Sequence, residues 1–89
     1  MPTTHLLIKG KVQGVFYRAS AKEKAEALRL TGWVKNTPDG NVEAVVTGSE
    51  NSLHQFISWC QQGPPKAVVT EVTVTYKDET PFAAFVVVR

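Results

Sequence analysis

The sequence has little with which to build a cross-linked, membrane-spanning or metal-clustered protein. A single cysteine, Cys60, stands among 89 residues, so no intrachain disulfide is available and a reducing cytoplasm is the expected location. No apolar run is long enough to cross a bilayer, and Met1-Pro2-Thr3-Thr4-His5 lacks the basic-then-apolar pattern of a secretory signal. Charge of one sign is scarce too. Lys, Arg, Asp and Glu are interspersed and leave a net of +2, too weak and too mixed to require nucleic acid, though mildly suited to small anions. The two histidines, His5 and His54, sit on separate predicted elements without carboxylates at ligand spacing, so no metal site is expected. Gly-x-x-x-x-Gly-Lys-[Ser/Thr] is absent, which sets aside a nucleotide P-loop. There is no internal repeat and no low-complexity segment.

What is present is ordinary for a globular chain: 43% hydrophobic and 20% charged residues, enough to bury a core without staples, in one expected domain over residues 1–89. Leu6, Ile8 and Val12 alternate against His5, Leu7, Lys9 and Lys11, which predicts a strand. Ala19 to Leu30 is rich in good helix formers and presents Ala21, Ala25 and Leu28 as an inner stripe. Thr31-Gly32 is read as the helix stop, Trp33 to Asn36 as a second strand, and Thr37-Pro38-Asp39-Gly40 as a tight turn into a third strand, Asn41 to Thr47. Ser49 is a natural N-cap with Glu50 in the first turn. Leu53, Phe56, Ile57 and Cys60 then fall on one helical face before Gly63-Pro64-Pro65 ends the helix. Val68 to Tyr76 and Phe85 to Val88 predict two further strands, separated by a turn at Asp78 to Pro81.

This order, β-α-β-β-α-β with a terminal β, predicts an α+β fold: a ferredoxin-like split βαβ sandwich, an antiparallel sheet with two helices on one face. In a split βαβ unit the first two strands run parallel with the third inserted between them. Their C-terminal ends share one side of the sheet. The turn after strand one and Asn36 at the end of strand two are therefore expected about 10 Å apart at the backbone, with one strand of about 4.8 Å spacing on each side.

The stretch that feeds this position is Gly10-Lys11-Val12-Gln13-Gly14-Val15-Phe16-Tyr17-Arg18. It carries a strand through a glycine turn to the mouth of a helix, where unpartnered backbone N–H groups and the positive end of the macrodipole make an anion cradle. Arg18 adds a planar fork suited to two phosphate oxygens. On this stretch alone, a sterically required glycine and a solvated arginine are the favoured account. An arginine at the electrostatically wrong end of a helix nonetheless hints at an anion.

The same stretch resembles the first signature of the acylphosphatase family, and Gly32-Trp33-Val34-Lys35-Asn36, continuing through Gly40-Asn41-Val42 to Gly48, resembles the second. The likeness runs on through Gly63-Pro64-Pro65 to Phe82, Phe85 and Arg89, with no departure at a motif position. It implies a small cytosolic, ferredoxin-like hydrolase that cleaves the carboxyl-phosphate bond of small acyl phosphates without metal or cofactor. It also implies Arg18 as the catalytic, phosphate-binding arginine and Asn36 as the residue that places the attacking water. Gln13, Gly14, Val15, Phe16 and Tyr17 supply the substrate-binding loop. The expected partners are acyl phosphates and inorganic phosphate, with no nucleic acid or membrane and a monomeric state.

Other residues read as structural. Cys60 lies on an apolar helix face and is expected in the core. Trp33, Phe56 and Trp59 are expected to pack, and Phe16 and Tyr17 to pack under the loop rather than to line the acyl side of a pocket. Lys9, Lys11 and Lys35 are expected to be solvated. Two rival functions share the fold. Single-stranded RNA binding needs aromatics on the central strands, and Asn41 to Thr47 has none. A non-catalytic ligand-sensing or assembly domain is opposed by the intact Arg18 and Asn36.

Overall fold

A computed structural model describes residues 1–88; Arg89, named in the resemblance, lies outside the described residues. The elements are β1 (Thr3–Lys11), α1 (Tyr17–Ala27), β2 (Thr31–Asn36), β3 (Val42–Thr47), α2 (Glu50–Cys60), β4 (Val68–Lys77) and β5 (Phe85–Val88). They form one five-stranded sheet in the order β4-β1-β3-β2-β5. β3 is antiparallel to both β1 and β2, so β1 and β2 run parallel, as the split βαβ reading requires. One expectation is corrected. The sheet is mixed rather than antiparallel, because β5 joins β2 in parallel, with Gly32 opposite Phe85 and Lys35 opposite Val88.

Period-two alternation sorts the strands into two faces. Leu6, Ile8, Val34, Val42, Ala44, Val46 and Phe85 point into one core with Ala21 and Ala25 of α1 and Leu53, Phe56 and Cys60 of α2. Both helices therefore cover the same face. On the other face His5, Val45 and Trp33 stand in register across β1, β3 and β2. There His5 Nε2 lies 2.6 Å from Glu43 Oε2, and Lys35 Nζ lies 5.3 Å from the Trp33 ring centre.

The helix ends follow local chemistry. Ser49 caps α2 by accepting from the Ser52 N–H at 3.2 Å. α1 starts two residues before the predicted Ala19 and stops before the predicted Leu30. Its stop is not Thr31-Gly32 but Arg29, which takes a left-handed φ of 60°. The Leu30 N–H then bonds back to Ala25 O and the Arg29 N–H to Glu26 O, closing the last carbonyls of the helix. That leaves Thr31 and Gly32 to open β2, two residues earlier than expected.

At Gly10 the β1–β4 register shifts by a bulge. Gly10 has φ +131°, and a Cβ there would lie 2.1 Å from Val68 O. The bulge re-aims the chain as it leaves β1 for the loop.

Candidate active site

The loop from Gln13 to Phe16 turns the chain from the end of β1 into α1. Two backbone features make that turn. Gly14 has φ +74° with open space around the missing Cβ, so its requirement is conformational rather than steric. Phe16, at the N-cap of α1, also sits in the left-handed region, at φ 65° and ψ 24°. Arg18 is the second residue of α1. Its Nη1 donates to the Val88 carbonyl at 3.2 Å, which uses one of the five guanidinium N–H groups and fixes the side chain across β5.

Asn36 reaches the same place from β2. It follows Val34 by two, so its side chain falls on the core-facing side of the sheet at the strand end. Its Oδ1 is buried and, with Thr4 Oγ1, is one of two such side-chain atoms without a hydrogen-bond partner among the described residues. A buried acceptor left unpaired costs about 1–3 kcal/mol. Thr4 stands at the far end of β1, whereas Asn36 opens onto a cleft.

That cleft, of about 340 Å³, is lined by Val12, Gly14, Phe16, Tyr17, Arg18, Ala19, Asn36 and Val87. It unites Arg18 and Asn36 with three of the five expected loop residues. Gln13 and Val15 are not among its walls. Val15 is buried in the core. The Gln13 side-chain amide donates to Thr37 O at 2.9 Å and to Asn41 O at 2.7 Å. Gln13 thus ties the loop to the β2–β3 turn that begins immediately after Asn36. Within that turn Thr37 N donates to Asn41 O, and Asn41 N donates to Thr37 Oγ1.

The two loop aromatics part company. Tyr17 packs as expected: its ring lies 5.4 Å from Trp59, and its hydroxyl donates to the Cys60 carbonyl at 2.7 Å. Burial pushes the Tyr17 phenol far above its ordinary range and the Cys60 thiol up to about 12. Both groups are neutral and structural. Phe16 does not pack under the loop. It is 76% exposed, because the left-handed residue that starts the helix turns its own side chain outward while its neighbour turns in.

Sequence reasoning missed Ala19, Val87 and the Val88 carbonyl. No local signal marks the last two, since the contact between residues 18 and 88 depends on where β5 enters the sheet. Val12 was legible only as a strand residue.

The cleft thus holds a guanidinium, the N-terminal amides of a helix, an unpaired carboxamide oxygen and apolar walls, the elements of a site for a phosphorylated small molecule. A family model described as Acylphosphatase matches residues 4–87. A curated acylphosphatase of Methylococcus capsulatus is 49% identical over 90 residues, covering 100% of this chain and 98% of the relative. The structure of an acylphosphatase from Coxiella burnetii superposes with a TM-score of 0.94 at 42% identity, covering 97% of this chain and 90% of that one. That of acylphosphatase from Bacillus subtilis gives 0.95 at 34% identity, with full coverage of both chains. By profile, by identity along its whole length and by fold, the chain belongs to the acylphosphatase family.

Proposed function

We propose that this chain hydrolyses the carboxyl-phosphate bond of small acyl phosphates without a metal, using Arg18 and the loop amides to hold the phosphoryl group and Asn36 to orient the attacking water. Family membership makes it an acyl phosphate hydrolase. The unpaired, buried Asn36 Oδ1 in a cleft shared with Arg18 is the observation that carries the residue roles.

The chemistry asks little of a protein. The leaving carboxylate is as weak a base as a glutamate side chain, with a pKa of about 4.3, so no general acid is needed. Phosphoryl transfer passes through a loose transition state whose charge is spread over the equatorial oxygens, and catalysis is mostly placement and electrostatics. The Arg18 guanidinium and the N–H groups of the Gln13–Arg18 loop would neutralise those oxygens. Asn36 cannot serve as a base, but its Oδ1 accepts a hydrogen bond from water and aims a lone pair at phosphorus. Water forms the new P–O bond as the bond to the acyl oxygen breaks. The carboxylate leaves with the electron pair, and the water proton passes to a phosphoryl oxygen.

The same proposal places the protein in the cytoplasm as a monomer of one domain over residues 1–89, acting on free small molecules rather than on nucleic acid or membrane. No helix among the described residues is long and apolar enough to cross a membrane. Nor, among them, do three or more His, Cys, Asp or Glu side chains converge where they could hold a metal ion.

The test is hydrolysis of a simple acyl phosphate in the presence of a chelator by the wild type, Arg18→Ala and Asn36→Ala. Chelator-insensitive turnover is expected, with turnover lower by roughly 10²- to 10³-fold in Asn36→Ala and by at least as much in Arg18→Ala. Inorganic phosphate should compete with substrate. Turnover abolished by the chelator, or undiminished in either variant, would refute the mechanism.

A further inference from the structure

The phosphoryl-binding groups leave half of the substrate unaddressed. An acyl phosphate also has an acyl group, and the cleft offers it Val12, Ala19, Val87 and Phe16. Phe16 is an anomaly in three respects. It occupies a left-handed backbone conformation that glycine or asparagine would adopt more easily. It stands at a helix N-cap yet makes no side-chain capping hydrogen bond, which Ser, Asp or Asn would supply. Its ring is 76% exposed and forgoes the burial that a phenylalanine ordinarily gains.

Backbone, cap and solvent all disfavour phenylalanine here, so the position gains nothing from it in folding. Phe16 lines the cleft that contains Arg18 and Asn36, and its ring, left exposed on a strained residue, is available to a ligand seated there. We propose that Phe16 is the acyl-recognition residue of this enzyme, and that it biases the site toward acyl phosphates whose acyl group is aromatic. This rests on the acyl phosphate hydrolysis proposed above and names the substrate class of that same site.

Because the acyl carbon is joined to phosphorus through one oxygen, a phosphoryl group seated on the loop delivers the acyl group within the same cleft. A flat ring stacks or tilts against Phe16 and excludes water from both surfaces. An acetyl group is too small to cover it. An aromatic pair of this kind is worth about tenfold in specificity once the apolar area it removes from water is added.

The experiment compares kcat/KM for benzoyl phosphate and for acetyl phosphate in the wild type, Phe16→Asn and Phe16→Tyr. Asparagine tolerates the left-handed backbone and removes the ring; tyrosine keeps it. The benzoyl-to-acetyl ratio is expected to fall about tenfold in Phe16→Asn and to stay within about twofold of wild type in Phe16→Tyr. A ratio unchanged in Phe16→Asn overturns the proposal, whether both rates fall together, as damage to the loop would cause, or neither moves. A wild type that hydrolyses neither substrate instead overturns the acyl phosphate reading, so the two failures are told apart.

Discussion

At the scale of single residues, the molecule separates groups that must stay silent from groups that must act. Cys60 and Tyr17 are silent, and their silence depends on pH in a direction that can be worked out. Burial raises the Cys60 thiol from 9.0 to about 12 and raises the Tyr17 phenol further still from 10.0. Above about pH 9 the unfolded chain releases protons that the native chain retains, so the native state binds more. The stability this represents is intact below pH 9 and is lost as pH climbs toward about 12. Urea unfolding at successive pH values should show the unfolding free energy falling by up to about 1.4 kcal/mol per pH unit for each such group. Cys60→Ala should flatten part of that slope. A thiol reagent at pH 8 should leave native Cys60 unmodified and react only after denaturation. Among the acting groups, Arg18→Lys keeps the charge but loses the planar fork and the span to the Val88 carbonyl. It should therefore resemble Arg18→Ala in turnover more than it resembles the wild type.

At the scale of elements, the site is a joint between the β1–α1 loop and the β2–β3 hairpin, and Gln13 is the pin. Replacing it with methionine keeps the length and removes both donors. Turnover should drop about tenfold. The same change made in an Asn36→Ala background should cost less than about twofold, because the pin matters through the residue it aligns. Additive losses in that double-mutant cycle would show that Gln13 acts elsewhere. Gly10 limits the other end of the loop. Gly10→Ala drives a methyl against the Val68 carbonyl and strains the bulge, and thermal unfolding should show a loss of several kcal/mol. Much of this level was legible in the sequence, because it is written in short-range signals. Ser49 and Glu50 announced α2, Thr37 to Gly40 announced the hairpin, and Asn36 was placed at the end of the second strand, on the same edge of the sheet as the glycine turn. The α1 terminus was misread because Arg29 fills a left-handed position usually left to glycine, and only the closing hydrogen bonds disclose it. The Gln13 clamp was hidden for a different reason: a side-chain amide does not reveal which carbonyls it will meet.

At the scale of the whole molecule, the cleft has a wall that no local pattern foretold. The Phe and Val content of Phe85 to Val88 predicted a strand, but not that it lies parallel to β2, since register between distant segments is a property of the packed sheet. The placement has two effects. It seats Phe85 in the core against Phe56, with ring centres 6.1 Å apart, so Phe85→Ala should cost about 3–5 kcal/mol in chemical denaturation. It also completes a cleft whose titratable lining, among the described residues, is only Arg18 and the suppressed Tyr17. The pH profile of kcat/KM should therefore be flat between about pH 6 and 9, apart from steps belonging to the substrate's own phosphoryl group. A bell-shaped profile would reveal an acid or base that the geometry does not contain. The bond from Arg18 to the Val88 carbonyl has a further consequence, in time rather than in space. A ribosome makes the glycine loop, Arg18 and Asn36 early, yet the arginine meets its anchoring carbonyl only after some seventy further residues have emerged. Nascent chains arrested before β5 should carry both side chains proposed to act in catalysis and turn nothing over, so the first hydrolysis event is expected to mark the moment the last strand docks.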